Sequence, residues 1–374
     1  MKSIFFTVAL LFMTSVLTNA QTVSTFTGGT PDDGIALDSN GNIYCSNYVG
    51  DTVYKFTPTG DVSSFITGLV TPNGLAFNSN DELYVCDGQA NIIYKYDNNG
   101  NQLETYPTSG HPSGIVKSHN SDTMIFTQFL GNSINSLAPD GTIIQLSTDV
   151  ALNGPVGIAT DASGTIYIGN YTDRKIYSMD ASGTLAYIAQ LPTDGGSLPN
   201  LGFISYGGGF LWGTTMGSDK VYRINPNEVN DIALYAGNVQ GSDDGPLQDA
   251  TFNTPNGILF DETSNTIYIT DFGTKDLRII SDVTLDVEDF RTSLNLVVYP
   301  NPVKDSLEVT FSLPMTSNYQ LEVYTVLGEL IYQAVDRSNN NMVNHKIDMS
   351  NWSRGTYFLK VKSRSFSAAE KIVK

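Results

Sequence analysis

Hydrophobic and polar positions along this chain fall into a unit that recurs six times. Its clearest copy is Thr71–Asp87: Pro-Asn-Gly, a short apolar strand, a polar turn, then a second apolar strand ending in an acid. The opening glycines are Gly34, Gly74, Gly114, Gly157, Gly202 and Gly257, and successive subtraction gives intervals of 40, 40, 43, 45 and 55. Short alternating runs bounded by turn residues predict four strands per unit, as in Gly74–Asn78, Leu83–Asp87, Asn91–Tyr96 and Asn101–Thr105. Four strands repeating every 40–45 residues or so predict a propeller blade. The last unit has three runs only, Gly257–Asp261, Asn265–Asp271 and Lys275–Ile280. Thr22–Gly28 matches the fourth run of the first unit, Asp61–Gly68, so the N-terminal segment is expected to close the ring as the outer strand of blade six. The fold class expected is all-β: a six-bladed β-propeller over 21–281 closed by the N-terminal strand, followed by a small immunoglobulin-like β-sandwich.

Residues 1–20 have the pattern of a secretory signal peptide: Lys2, an apolar run over Ile4–Val16, and a small residue ending Thr18-Asn19-Ala20. No later stretch is long and apolar enough for a transmembrane helix. A polar linker is expected over 282–296, and seven short strand-like runs over 297–374 predict the sandwich.

Charge separates the two parts. Residues 297–374 hold nine Lys/Arg against seven Asp/Glu, whereas the rest, leaving out Lys2, holds ten against thirty-one. The acidic propeller disfavours nucleic acid and anionic lipid. Three histidines in all, His111, His119 and His345, rule out a three-His zinc site in the propeller. Cys45 and Cys86 lie in the second strands of blades one and two, one position apart in the repeat. They therefore face each other, as a disulfide would require, or face apart.

The loops at the two ends of a propeller differ. One end carries plain turns such as Ser39–Asn42 and Asp97–Gly100. The other carries Tyr48, His111, Phe129, Tyr171 and Phe272, candidates for gripping a glycan, a peptide or a small molecule. The residues preceding the six glycines, Asp33, Asn73, Ser113, Val156, Leu201 and Asn256, are expected to rim the channel on that same end. Asp33, Asn73 and Asn256 come from blades that become neighbours on closure. Together they are candidates for holding a divalent cation, Ca²⁺ being the favoured ion. The acidic loop Gly237–Asn256 does not have the spacing of an EF-hand.

Two resemblances add to this reading. Pro-Asn-Gly-Leu/Ile, Leu-Tyr-Val-Cys-Asp and Ile-Tyr-Ile-Thr-Asp, spread over about 22–281, resemble the senescence-marker-protein/gluconolactonase family and NHL repeats. The first resemblance implies a metal-dependent lactonase or esterase-like hydrolase, with Asn73 and Asn256 matching Pro-Asn-Gly ligand positions and Asp33 standing for an acidic ligand. The family's glutamate in the first inner strand has no counterpart in Gly34–Asp38. Tyr299-Pro300-Asn301-Pro302, Val323–Ile331, Gly355–Val361 and Lys371-Ile372-Val373-Lys374 resemble the type A C-terminal sorting domain of the type IX secretion system of Bacteroidota. That resemblance implies export through the periplasm to the medium or the cell surface, with the secretion machinery as partner of 297–374. A secreted ligand-binding propeller is the leading expectation, a metal-dependent hydrolase is the alternative, and the residues leave catalysis open.

Overall fold

The structure, a computed structural model, describes residues 21–26, 28–193, 200–283, 296–312, 318–326, 328–337, 342–363 and 367–374. The expected signal peptide lies outside these residues, as does most of the expected linker. Six antiparallel sheets follow one another from residue 22 to residue 280. Blade one is built from Ile35–Leu37, Ile43–Ser46, Val53–Phe56 and Val62–Ile66, and blades two to five repeat the pattern. Blade six takes Pro255–Asp261, Thr266–Asp271 and Asp276–Ile280 from the C-terminal side and Thr22–Phe26 from the N-terminus, with Val23 opposite Ile280 and Phe26 opposite Leu277. The closing strand is thus where the sequence put it. Val283 is buried in the blade-six core, so the propeller runs two residues beyond the expected boundary.

The opening glycines have a steric reason. A Cβ on Gly34 would stand 2.5 Å from the carbonyl oxygen of Asn73, one on Gly74 2.2 Å from that of Ser113, and one on Gly257 2.0 Å from that of Asp33. Five of the six inner strands press in this way against the carbonyl before the next blade's inner glycine position, Gly157 meeting Ile204 instead, and a methyl group would force the blades apart. In blades one, five and six a hydroxyl of the second strand satisfies the next blade's carbonyl. Ser46 donates to Asn73 O at 2.6 Å, Thr214 to Asn256 O at 2.6 Å and Thr270 to Asp33 O at 2.5 Å.

Cys86 occupies that hydroxyl position in blade two, whereas Cys45 is one residue earlier in blade one. Strand alternation sends them to different interfaces. Cys45 packs with Ile43, Phe56 and Leu277 between blades six and one, and Cys86 with Ile93, Ile115 and Phe126 between blades two and three. Both are free and buried, so the disulfide considered from the sequence is not formed: the two thiols face apart.

The long loop after blade five is structural. Gly245–Pro246 adds a fifth strand to blade six, outside Thr22–Val23. Asp244 accepts hydrogen bonds from Arg278 at 2.9 Å and from Thr25 at 2.7 Å. The tail comprises all seven expected strands. A three-stranded sheet (Val297–Tyr299, Ser306–Ser312, Met342–Asp348) and a four-stranded sheet in the order Leu330–Arg337, Asn318–Thr325, Thr356–Ser363, Ser367–Val373 share a core that includes Leu307, Phe311, Leu321, Ile347 and Leu359.

Candidate functional site

Blades two, four and six end the second strand in a residue that ties down the loop arriving from the previous blade, Asn170 of blade four accepting the Asn153 N–H at 3.1 Å. Asp87 accepts the main-chain N–H groups of Val70 and Thr71 at 2.8 and 2.9 Å, and Asp271 accepts that of Asn253 at 2.7 Å. The acid that ends the repeat is therefore a loop clasp. Burial pushes the Asp271 carboxyl up to about 7, against the pull of the Asn253 N–H and of the Arg278 guanidinium 3.8 Å away.

A second clasp precedes the third strand. Asn91, Asn132 and Asp219 all have positive φ, and their side-chain oxygens accept the N–H groups of His111, Gly154 and Thr254 at 2.9, 2.7 and 2.7 Å. The three donors, His111, Gly154 and Thr254, each stand immediately before a proline that opens an inner strand. His111 and Thr254 take φ of 64° and 63°, the conformation glycine takes at 154. A branched or bulky side chain in that region is strained, and such strain clusters at functional positions.

These clasps fix the rims of one cavity of about 400 Å³ at the loop-rich end of the channel. All eight residues singled out from the sequence line it: Asp33, Asn73 and Asn256 together with Tyr48, His111, Phe129, Tyr171 and Phe272. The rings of Tyr48, His111, Phe129 and Tyr171 form a continuous arc, with successive centroids 6.3, 6.0 and 5.8 Å apart. Phe272 is held from behind by the Lys275 ammonium, 3.9 Å from its ring centroid. The same ammonium donates to the fully buried Asp32 at 2.6 Å, and Asp32 also accepts the Tyr48 N–H at 2.5 Å. One ion pair thus positions aromatic residues from blades one and six.

The polar side of the cavity is tightly held. Asn256 donates from Nδ2 to Asp33 at 2.7 Å, and Asn73 donates to Ser113 at 3.4 Å while its own Oδ1 is buried without a hydrogen-bond partner. Burial, and then the neighbouring Asp32, raise the Asp33 carboxyl well above the usual range, more than the Asn256 bond and Lys275 lower it. Burial pushes the His111 imidazole down, towards its neutral form, more than the charge of Asp87 raises it.

Leu201 departs from expectation. It is fully buried in the core between blades four and five, and Asn200 lines the cavity in its place. Met216, Asp219, Gln240 and Thr254 also line it and were not singled out from the sequence. For Asp219 a signal exists: it stands immediately before a third strand, in register with Asn91 and Asn132. No group of three or more His, Cys, Asp or Glu suited to a metal ion occurs among the described residues, and no helix there is long and apolar enough to cross a membrane.

Comparison with known proteins places this geometry. No curated protein matches the chain. Among solved structures, a virginiamycin B lyase from Staphylococcus aureus is similar at 17% identity and a TM-score of 0.53, covering 70% of this chain and 98% of that one. A gluconolactonase from Xanthomonas campestris is similar at 17% identity and a TM-score of 0.55, over 70% and 89%. An auxiliary nutrient binding protein from Bacteroides ovatus follows at 18% and 0.58, over 70% and 76%. At these identities the likeness is one of fold. The secretion system C-terminal sorting domain model matches residues 297–374, which marks the protein for type IX export to the cell surface or beyond. The virginiamycin B lyase family model matches residues 2–244, well over half of the sequence, and the chain therefore belongs to the virginiamycin B lyase family.

Proposed function

We propose that the protein is an exported binding propeller that takes a small organic ligand into the cavity at its loop-rich end. The observation that carries the reading is the aromatic arc from Tyr48 to Tyr171, facing buried amide and carboxyl groups across one cavity. Apolar walls with a few convergent polar groups are the usual composition of a small-molecule site. Aromatic anchors in such sites typically contribute about 2 kcal/mol or more when truncated. Phe129→Ala and Tyr171→Ala are therefore expected to weaken ligand binding at least about tenfold, measured by calorimetry on a ligand found in a small-molecule and glycan screen. Unchanged affinity in both variants would sink the reading.

A metal-dependent hydrolase is the second reading, and the unpartnered Oδ1 of Asn73 favours it. Asp33, Asn73 and Asn256 would hold a cation such as Ca²⁺, which when bound would polarise a substrate carbonyl. The Nδ2 bond from Asn256 to Asp33 would have to be given up, the Asn256 amide turning to offer its oxygen instead. A bound cation raises stability by RT ln(1 + [L]/Kd), about 2.7 kcal/mol at a hundredfold excess over Kd. On this reading millimolar Ca²⁺ raises the melting temperature of the EDTA-treated protein, and Asn73→Ala abolishes the rise. No shift with Ca²⁺, Mn²⁺ or Zn²⁺ would remove the hydrolase from consideration.

A further inference from the structure

The six blades supply an internal control for the chemistry of the cavity. At the position before the third strand, Asn91 and Asn132 make the loop clasp with amide oxygens at 2.9 and 2.7 Å. Asp219 makes the same bond to Thr254 at 2.7 Å. An amide is thus sufficient for the structural task, and the negative charge at 219 is surplus to it. The position before the opening glycine behaves alike: Asn73, Ser113 and Asn256 occupy it in other blades, and Asp33 occupies it in blade one. Both surplus carboxyls belong to buried residues, where an uncompensated charge is costly.

Among the described residues that line the cavity there is no Lys or Arg. Lys275 pairs with Asp32 and with the face of Phe272, and its charge, like that of Lys220 beside Asp219 in sequence, acts on the carboxyls from outside the lining. Around the two carboxyls stand Tyr48, Phe129, Tyr171 and Phe272, whose ring faces attract cations. Met216 adds apolar wall that a hydrated metal ion would not use. The buried Oδ1 of Asn73 is an acceptor awaiting a donor.

Resting on the ligand-pocket reading, we propose that the cavity selects a protonated amine carried on an apolar or aromatic skeleton. Asp219 and Asp33, which give up any bound proton to solvent as the ammonium enters, supply the countercharge, the aromatic arc receives the skeleton, and Asn73 Oδ1 accepts an ammonium N–H.

Phenethylamine and phenethyl alcohol form a matched pair of probes, with one skeleton and a charged or a neutral donor. Calorimetry on the chain from residue 21 to 374 is expected to give at least about tenfold tighter binding of the amine. Asp219→Asn is expected to remove most of that preference, leave the alcohol unaffected and keep the melting temperature, because asparagine already serves at positions 91 and 132. Asp33→Asn provides the second arm, asparagine being the residue at 73 and 256. Three results would overturn the inference: equal or tighter binding of the alcohol, amine affinity indifferent to both variants, or no amine binding. Equal or tighter alcohol binding that is lost in Phe129→Ala would overturn the amine preference and leave the ligand pocket standing. The pocket reading itself falls if the aromatic variants leave ligand binding unchanged.

Discussion

Arg278→Ala is expected to lower the melting temperature by about 10 °C and to open the loop over 237–253 to proteolysis. Arg278 is fully buried, and its guanidinium carries the end of that loop. Nη1 donates to Thr251 O at 2.8 Å, Nη2 donates to Asp243 O at 3.0 Å and to Asp244 at 2.9 Å, and the Phe252 ring lies 4.9 Å from the guanidinium carbon. Removing the cation strands the buried carbonyl of Thr251 and the part-buried one of Asp243, and leaves Asp271 without its neighbouring positive charge. Breaking a buried pair in this way costs about 3–5 kcal/mol. In a propeller of this size each kcal/mol moves the midpoint by about 2–4 °C. Arg278→Lys should recover only part of the loss, because an ammonium cannot fork between two carbonyls and a carboxylate. Differential scanning calorimetry with limited proteolysis checks both effects, and a midpoint within about 2 °C of the parent would refute this role for Arg278.

Removing the closing strand should be more damaging still. A chain that starts at residue 28 loses the four pairings of Val23–Phe26 with Leu277–Ile280. It also loses Val23 from the core, where it is almost wholly buried. Burial of Val23 is worth about 1.5–3 kcal/mol. The ladder bonds add about 0.5–1.5 kcal/mol each. The sum approaches the whole stability of an ordinary domain, about 5–15 kcal/mol. The strand Asp276–Ile280 would be left as a long unpaired edge, the form that invites aggregation. The expected result is insoluble or aggregated protein, read by light scattering and size-exclusion chromatography beside the chain from residue 21. A monomeric product with a native melting curve would show that closure does not depend on this strand.

The repeat was legible because its physics is local and periodic. The glycine every 40–55 residues is demanded by contact with the next blade's backbone, so it recurs wherever a blade begins. The match of Thr22–Gly28 to Asp61–Gly68 revealed closure because the missing strand had to satisfy the same edge. The aromatic candidates were legible because the ring superposes equivalent loops, so residues far apart in sequence reach one cavity.

What was not legible depends on contacts across the ring. Arg278 reads as one polar position in an apolar strand, and its partners at 243, 244 and 251 sit in a loop with no counterpart in other blades. The acids of that loop lack the spacing of an EF-hand, and the cation that Asp244 meets is a side chain of the protein. Leu201 was placed at the rim by the repeat. Leu201 pairs with Thr215 at the end of the second strand, the place that Pro72 and Pro255 take opposite Asp87 and Asp271; it lies in the core, and Asn200 lines the cavity. The cysteines could be placed one position apart in the repeat, but only the packing of whole blades decided which interface each thiol enters.

The central claim is that the loop-rich cavity holds a small organic ligand. Native mass spectrometry tests it most directly, on protein recovered from the medium or the cell surface without denaturation, beside the double variant Phe129→Ala, Tyr171→Ala. The account predicts a retained small-molecule mass, or one acquired on incubation with a metabolite extract, that the double variant does not carry. An identical retained mass on both proteins would place the ligand elsewhere, and no retained mass on either would contradict the claim.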